Sequence, residues 1–282
     1  MILCKKNTCA VIVTFNPDSL FEKAIKRHIE LFSSIIVVDN NSNDLSFIST
    51  GHINIDFVHL KSNMGIAYAL NFGIKRALSM GYNWIFTFDQ DSIPVDNFLF
   101  YYNEVFRILP NLINKIGLIS TKHVPSIPIS VSDDLRFKYT CSLITSGMLH
   151  NGKIFEKVGW YDEKMFIDSV DFEFALRCAN RGFLTIRIQN PILQHKLGEP
   201  RLKSILWGGI VIRTTNHNAV RRYYIMRNNV YVSKKYFFKV PLWVLKKNFF
   251  CVVDLMVMLL ADDDKWNKMK KTLKGLVDGI IM

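Results

Sequence analysis

The run WIFTFDQDSIP, residues 84–94, sets Asp89 and Asp91 two positions apart, directly after an apolar stretch and just before a proline. Trp84, Ile85, Phe86 and Phe88 have the aromatic and branched character of a buried strand. At a strand's end, residues i and i+2 point to one side, so the two carboxylates share a small volume and repel. A divalent cation relieves that repulsion, and oxygen donors of this kind suit Mg2+ or Mn2+. The alternative is a solvated acidic loop after a strand; spacing alone does not separate the two. A second acidic group, Asp168, Asp171 and Glu173 in FIDSVDFEF, falls where a helical pattern begins. Acids there complement the helix dipole even when they do nothing else.

Such groups need a scaffold, and the first two-thirds of the chain supply one. CAVIVTF (9–15), IIVVD (35–39), IDFVHL (55–60), the run into DQD, and KIGLIST (116–121) read as strands. Between them lie a helix starting at Asn16-Pro17-Asp18, a helix over 63–82 with Gly81 as its C-cap, and a helix near 96–109. Strands alternating with helices predict a mainly parallel, doubly wound sheet. Such sheets bind ligands at the carboxyl ends of their strands, and Asp39 and Asp89 both fall there. Beyond residue 138 the pattern is mixed: a short helix around 152–158, a helix over 171–182, a strand over 183–189 and a basic helix over 218–236. Two amphipathic helices follow, broken near Pro241 and Ala261-Asp262-Asp263-Asp264.

The totals narrow the classes. With 282 residues, 49% hydrophobic and 13% aromatic, the chain can bury a substantial core. The N-terminus lacks a signal-peptide layout, and no window reaches the roughly 18 uninterrupted apolar residues of a membrane span. Five scattered cysteines without a CxxC pair fit free thiols in a reducing cytoplasm. Of the net charge of +12, residues 196–250 hold twelve Lys and Arg against the single acid Glu199. The same segment carries Trp207, Tyr223, Tyr224, Tyr231 and Trp243, an interleaving that suits an anionic membrane surface or nucleic acid. No nucleic-acid motif accompanies it. Three motif matches fail: Asp89-Gln90-Asp91-Ser92 lies too far into the chain for a haloacid-dehalogenase nucleophile, Gly147–Lys153 is followed by Ile154 where a P-loop needs a hydroxyl, and no GxGxxG occurs.

Taken in order, VTFNP (13–17), VVDNNSND (37–44), NMGIAYALNFGI (63–74), FDQD (88–91), SGMLH (146–150), FIDSVDFEFALR (166–177), QHKLG (194–198) and RRYYIMRN (221–228) form a specific set. With these motifs the sequence resembles the family 2 glycosyltransferases of the GT-A fold. More narrowly, it resembles bacterial rhamnosyltransferases of O-antigen and related surface polysaccharides. The resemblance covers roughly residues 8 to 230. It implies an α/β, Rossmann-like, mainly parallel GT-A domain over 1–215, with a donor half to about 122 and an acceptor half over 123–215. A basic amphipathic helical region would follow over 216–282.

The same resemblance implies a nucleotide-sugar donor, dTDP-β-L-rhamnose, with a UDP-hexose as the alternative. Thr14, Asn16 and Asp39 would lie around base and ribose, and Asn63, Gly65 and Asn71 would line the donor pocket. Asp89 and Asp91 would form the DxD motif, Asp91 the more direct ligand of Mg2+ or Mn2+. Inverting transfer needs a base for the acceptor hydroxyl. The Glu-Asp pair of many relatives aligns with Val170-Asp171, which favours Asp171 and leaves Asp168 and Glu173 as rivals. His195 is open between a third metal ligand and a diphosphate contact. Arg221, Arg222 and Arg227 are candidates for phosphate binding. The acceptor is expected to be a lipid-linked saccharide, with the protein peripheral on the inner face of the bacterial cytoplasmic membrane and an oligomer possible. The rival from another class is a non-catalytic basic protein binding membranes or polyanions.

Overall fold

The computed structural model describes residues 2–45, 54–127, 131–195, 201–205 and 210–282. The chain divides into two compact units: Met1–Lys164 with Val170–Lys196, and Met165–Ser169 with Leu197–Met282.

The first unit is the α/β body. Its elements are β1 (Thr8–Thr14), α1 (Leu20–Leu31), β2 (Ser34–Asp39), β3 (Ile55–His59), α2 (Ile66–Ser79), β4 (Trp84–Asp89), β5 (Ile93–Pro94) and α3 (Phe98–Ile108). Then come β6 (Ile116–Val124), β7 (Phe137–Tyr139), β8 (Met148–Asn151), α4 (Ile154–Val158), α5 (Val170–Asn180) and β9 (Leu184–Gln194). Among the described residues nine strands form one sheet in the order β3-β2-β1-β4-β8-β6-β9-β5, with β7 on β9. The first four are mutually parallel, as strand-helix alternation requires. The second half is mixed: β8 runs antiparallel between β4 and β6, while β6 and β9 are parallel.

β1 is buried along its whole length, and β2 likewise, the mark of strands covered on both faces. On one face Phe32, Phe86, Phe88, Phe98 and Tyr102 pack ring to ring with centroids 4.9–5.8 Å apart. Each such side chain contributes about 1.5–3 kcal/mol by burial. α2 lies close on β1 and β2 because Gly73 has no side chain: a Cβ there would come within 2.3 Å of Val11 Cγ1. Gly81, at φ 90°, follows the end of α2 in the left-handed conformation expected of a C-cap glycine.

The second unit contains β10 (Arg201–Ile205) and β11 (Ile210–Thr214), an antiparallel hairpin, then α6 (Ala219–Tyr236), α7 (Pro241–Ala261) and α8 (Lys265–Ile281). α6 starts on an Asn218 cap bonded to the Arg221 amide. Gly275 and Gly279 bring α8 against α6; a Cβ on Gly275 would lie 2.4 Å from the Tyr223 carbonyl oxygen. The unit begins at Leu197 and takes in Met165–Ser169, whereas the sequence places the boundary at 216. The hairpin accounts for the difference, since it packs on α7 rather than joining the large sheet.

Candidate active site

Parallel pairing sets the chemistry at one edge. β1, β2 and β4 end together, with Thr14 opposite Asp39 and Val13 opposite Asp89. The strand order reverses between β1 and β4, which opens a crevice at their carboxyl ends. Across it the Phe15 amide donates to Gln90 Oε1 at 2.8 Å.

Asp91 and Asp89 meet His195, the residue after β9. His195 Nδ1 lies 3.0 Å from Asp91 Oδ1 and 3.1 Å from Ser92 Oγ, and its Nε2 lies 3.6 Å from Asp89 Oδ2. Burial alone would depress the imidazole, but Asp91 and Asp89 outweigh it and hold His195 above its ordinary value. The two carboxylates keep 33% and 21% of their side-chain surface open to solvent. Among the described residues no three His, Cys, Asp or Glu side chains form a ready-made cation cage. The donor set nonetheless fits a hard divalent ion: two carboxylates drawn together around an imidazole, accessible from one side.

Sequence reasoning missed the layer beneath. Ser146 Oγ bonds Ser92 Oγ and receives the Asp89 amide. His123 donates from Nε2 to the Ser146 carbonyl at 2.8 Å and sets its ring edge-on to His195, centroids 5.0 Å apart. Its buried Nδ1 has no hydrogen-bond partner among the described residues. Burial, then the neighbouring His195, lower its pKa to about 4, so it stays neutral. Ser92 and Ser146 adjoin or belong to motifs visible in the sequence; nothing in the KIGLISTKHV run marks His123.

The nucleotide-side residues divide. Asp39 is fully buried and accepts from Thr14 Oγ1, the Ser42 amide and the Ser42 hydroxyl, with His59 Nδ1 2.8 Å away. Burial would raise its pKa, but bonds from Ser42, Thr14 and His59 prevail and hold it low. Asp39 therefore shapes the loop after β2. That loop is tied to the Asn16 segment, Asn16 donating its amide to Ser42 Oγ and accepting from the Asn43 amide. Asn63 Oδ1 accepts from Asn40 Nδ2 and the Gly65 amide, with Gly65 at φ 84° ahead of α2. Asn71 is corrected: it is 1% exposed and its amide is committed to Tyr161 and Glu163, so it braces α2 internally rather than lining a pocket.

The three acids of FIDSVDFEF separate as well. Glu173 is buried and held bidentately by Arg177 at 2.7 and 3.0 Å, a structural pair. Asp168 belongs to the second unit, where Arg221 donates to both its oxygens at 3.2 Å. Asp171 opens α5 in the first unit and accepts its neighbour's amide, Phe172 N. α5 returns through a short turn into β9 and packs on it, so Asp171 lies at the same edge as His195. Of the arginines, Arg222 is corrected: it is 3% exposed and ion-paired with Asp254 and Asp262 inside the helical unit, not offered to phosphate. Arg227 stacks over Tyr223 and Tyr224. The Lys196-Leu197-Gly198 portion of QHKLG, and Trp207, lie outside the described residues.

A sheet switch point with paired carboxylates at its rim, and a helix-borne acid on the same edge, is the architecture of a GT-A glycosyltransferase. The family model for glycosyl transferase family 2 matches residues 9–101. Over 97% of this chain and 95% of the relative, the sequence is 32% identical to dTDP-rhamnosyl transferase RfbF of Shigella flexneri. The chain belongs to glycosyltransferase family 2. Among solved structures it is similar to the mannosyltransferase PcManGT of Pyrobaculum calidifontis in complex with GDP-Man and Mn2+. That similarity has TM-score 0.58 and 13% identity over 99% of this chain and 88% of the other. TarS 1–349 of S. aureus in complex with UDP-GlcNAc gives TM-score 0.50 and 11% identity over 98% of this chain and 73% of the other.

Proposed function

We propose that this glycosyltransferase transfers L-rhamnose from dTDP-β-L-rhamnose to a lipid-linked saccharide, with inversion, in surface polysaccharide synthesis. The observation that carries the donor assignment is the full-length similarity to a dTDP-rhamnosyl transferase. The Asp89–Asp91–His195 cluster at the switch point supports the chemistry.

In this reading Asp91, with Asp89 and His195, holds a divalent cation, Mg2+ or Mn2+. That ion supplies charge stabilisation for the departing nucleoside diphosphate. Thr14, Asn16 and the loop built on Asp39 frame the base and ribose, and Asn63 and Gly65 shape the wall at the start of α2. Asp171 takes the proton from the attacking acceptor hydroxyl. Asp168, gripped by Arg221, orders the segment leading into α5 instead of competing as the base. Arg221 and Arg227 remain the cations proposed to meet phosphate. The lipid carrier places the protein peripherally on the inner face of the cytoplasmic membrane through its basic C-terminal region. Among the described residues no helix is long and apolar enough to cross a membrane.

Calorimetry with dTDP-rhamnose, in Mg2+ and in EDTA, on the wild type and on Asp91→Ala tests the donor site. Metal-dependent binding that the substitution abolishes is the expected result. Tighter binding of a UDP-hexose would overturn the rhamnose assignment and keep the fold. No binding of any nucleotide sugar to folded protein would overturn the transferase reading in favour of a basic surface-binding protein.

A further inference from the structure

α7 is apolar on nearly every side, yet only Val244, Met258 and Ala261 of its 21 residues are buried. Leu242, Leu245, Phe249, Val252, Met256 and Leu259 recur at steps of three and four, so they form one stripe along the helix. Each is between 41% and 82% exposed. At about 1.5 Å per residue the stripe runs for roughly 25 Å. Soluble surfaces rarely leave a contiguous apolar strip of that size open without a partner.

The charges around the strip choose that partner. Lys239 precedes α7 and Lys246 and Lys247 stand in its first two turns. Phe238, just before the helix, is 93% exposed. The single acid of α7, Asp254, is ion-paired with Arg222 of α6. An apolar stripe with lysines at one end and its only acid turned to an internal arginine complements an anionic lipid interface. A second copy of a chain carrying +12 would bring like charge to the same lysines.

We propose that α7 is the membrane-docking element, lying in the plane of an anionic bilayer. Its Leu242–Leu259 stripe is seated among the acyl chains, and Lys239 and the exposed Lys246 rest on the headgroups. This deepens the peripheral location proposed above and rests on it. α6, which carries five Lys and Arg and no acid, is not the docking face. Its Arg222 is buried in an ion network and Arg221 is tied to Asp168.

The test is flotation of the full chain with vesicles of phosphatidylglycerol and phosphatidylethanolamine, against phosphatidylcholine alone, with sedimentation velocity alongside. The proteins are the wild type, a triple variant Leu245→Glu, Phe249→Glu, Met256→Glu, and a double variant Lys239→Glu, Lys246→Glu. The wild type should float with anionic vesicles. The triple variant should lose at least about tenfold in partitioning at any salt, and the double variant should lose several-fold at low salt only. Binding of dTDP-rhamnose should be unchanged in both, which reports that the sheet unit is folded. A triple variant that floats like the wild type would overturn the assignment to α7 and leave the peripheral location standing. A wild type that stays in solution would overturn both. If the wild type dimerises through the stripe and does not float, the occupant is a second copy and the proposal is wrong.

Discussion

Two clusters of aspartates show how differently one chain can treat the same side chain. At the rim of the sheet, Asp89 and Asp91 face a histidine and remain partly open to solvent. Inside the helical unit, Asp262 is wholly buried between Arg222 at 3.2 Å and Lys268 at 2.9 Å, takes the Thr214 hydroxyl, and Asp254 completes the set. Around Asp262 the second cluster is closed, two cations and a hydroxyl meeting one buried carboxylate, and it ties hairpin and helices together, while Asp254 at its margin keeps 42% of its side chain exposed. The rim cluster pairs its carboxylates with a side chain that changes charge near neutrality, on a surface a ligand can reach. Asp262, closed in by cations, serves architecture; the rim pair, set against a histidine at the sheet's switch point, is the one proposed for chemistry. Neither property can be seen in the letter D.

The contrast can be broken in several places. The largest effect is expected at the candidate site: with Asp171 as the proposed base, Asp171→Asn should lower kcat by about 10²–10⁴-fold while donor affinity in calorimetry stays the same. Equal loss in Asp168→Asn and retention in Asp171→Asn would reassign the base. Next is Asp262→Ala, which strands Arg222 and Lys268 without their shared carboxylate. It should cost about 3–5 kcal/mol in urea unfolding of the helical unit, with donor binding at the sheet edge retained below the transition.

Acid should then separate the two units. His28 and His150 are buried in the sheet unit, where burial lowers their pKa values from 6.5 to about 3 and about 4. Both stay neutral when folded and take up protons only when unfolded. Their contribution is complete above pH 6.5 and is lost as pH falls below it, by about 1.4 kcal/mol per pH unit for each histidine. Asp262 works lower down: although burial pushes its pKa up, Thr214, Lys268 and Arg222 hold it below 3.8, so its support lasts until the pH drops past that value. Half-buried His217 adds a smaller loss of the same sign as His28. Hydrogen exchange across pH 7 to 4 should therefore show the sheet unit weakening first; simultaneous loss would contradict the division. The smallest effect is His123→Asn, expected to weaken Mn2+ binding about tenfold by loosening His195. Titration calorimetry with the metal alone would register it.

Much of the sheet was legible because β1, β2 and β4 are apolar runs, broken only at Thr87, that end in polar residues, and β6 opens on an apolar stretch. β5 and β7, of two and three residues, carry too little pattern to stand out. β8 hides within SGMLH, where a motif obscures a strand. At the candidate site, the DQD pair and His195, singled out by type and position, do lie together in the fold. Asn71 and Arg222 were misread for one reason: a polar side chain serving an internal partner has the same sequence signature as one serving a ligand. Only the fold shows that Asn71 faces Tyr161 and that Arg222 faces Asp262.

The short segment Met165–Ser169 has a consequence for anyone who cuts this protein apart. It is embedded in the sequence of the sheet unit yet counted with the helices, so the chain passes between the two units three times. Its fold depends on distant letters: Arg221 grips Asp168, Asn228 donates to the Ile167 and Asp168 carbonyls, and Asp168 and Ser169 both sit at positive φ. Deleting the C-terminal helices would thus unlatch the five residues that deliver the chain to Asp171. What looks in the sequence like a detachable tail is a remote buttress of the segment before Asp171, the proposed base, and a truncated protein would report on that loss as much as on the helices themselves.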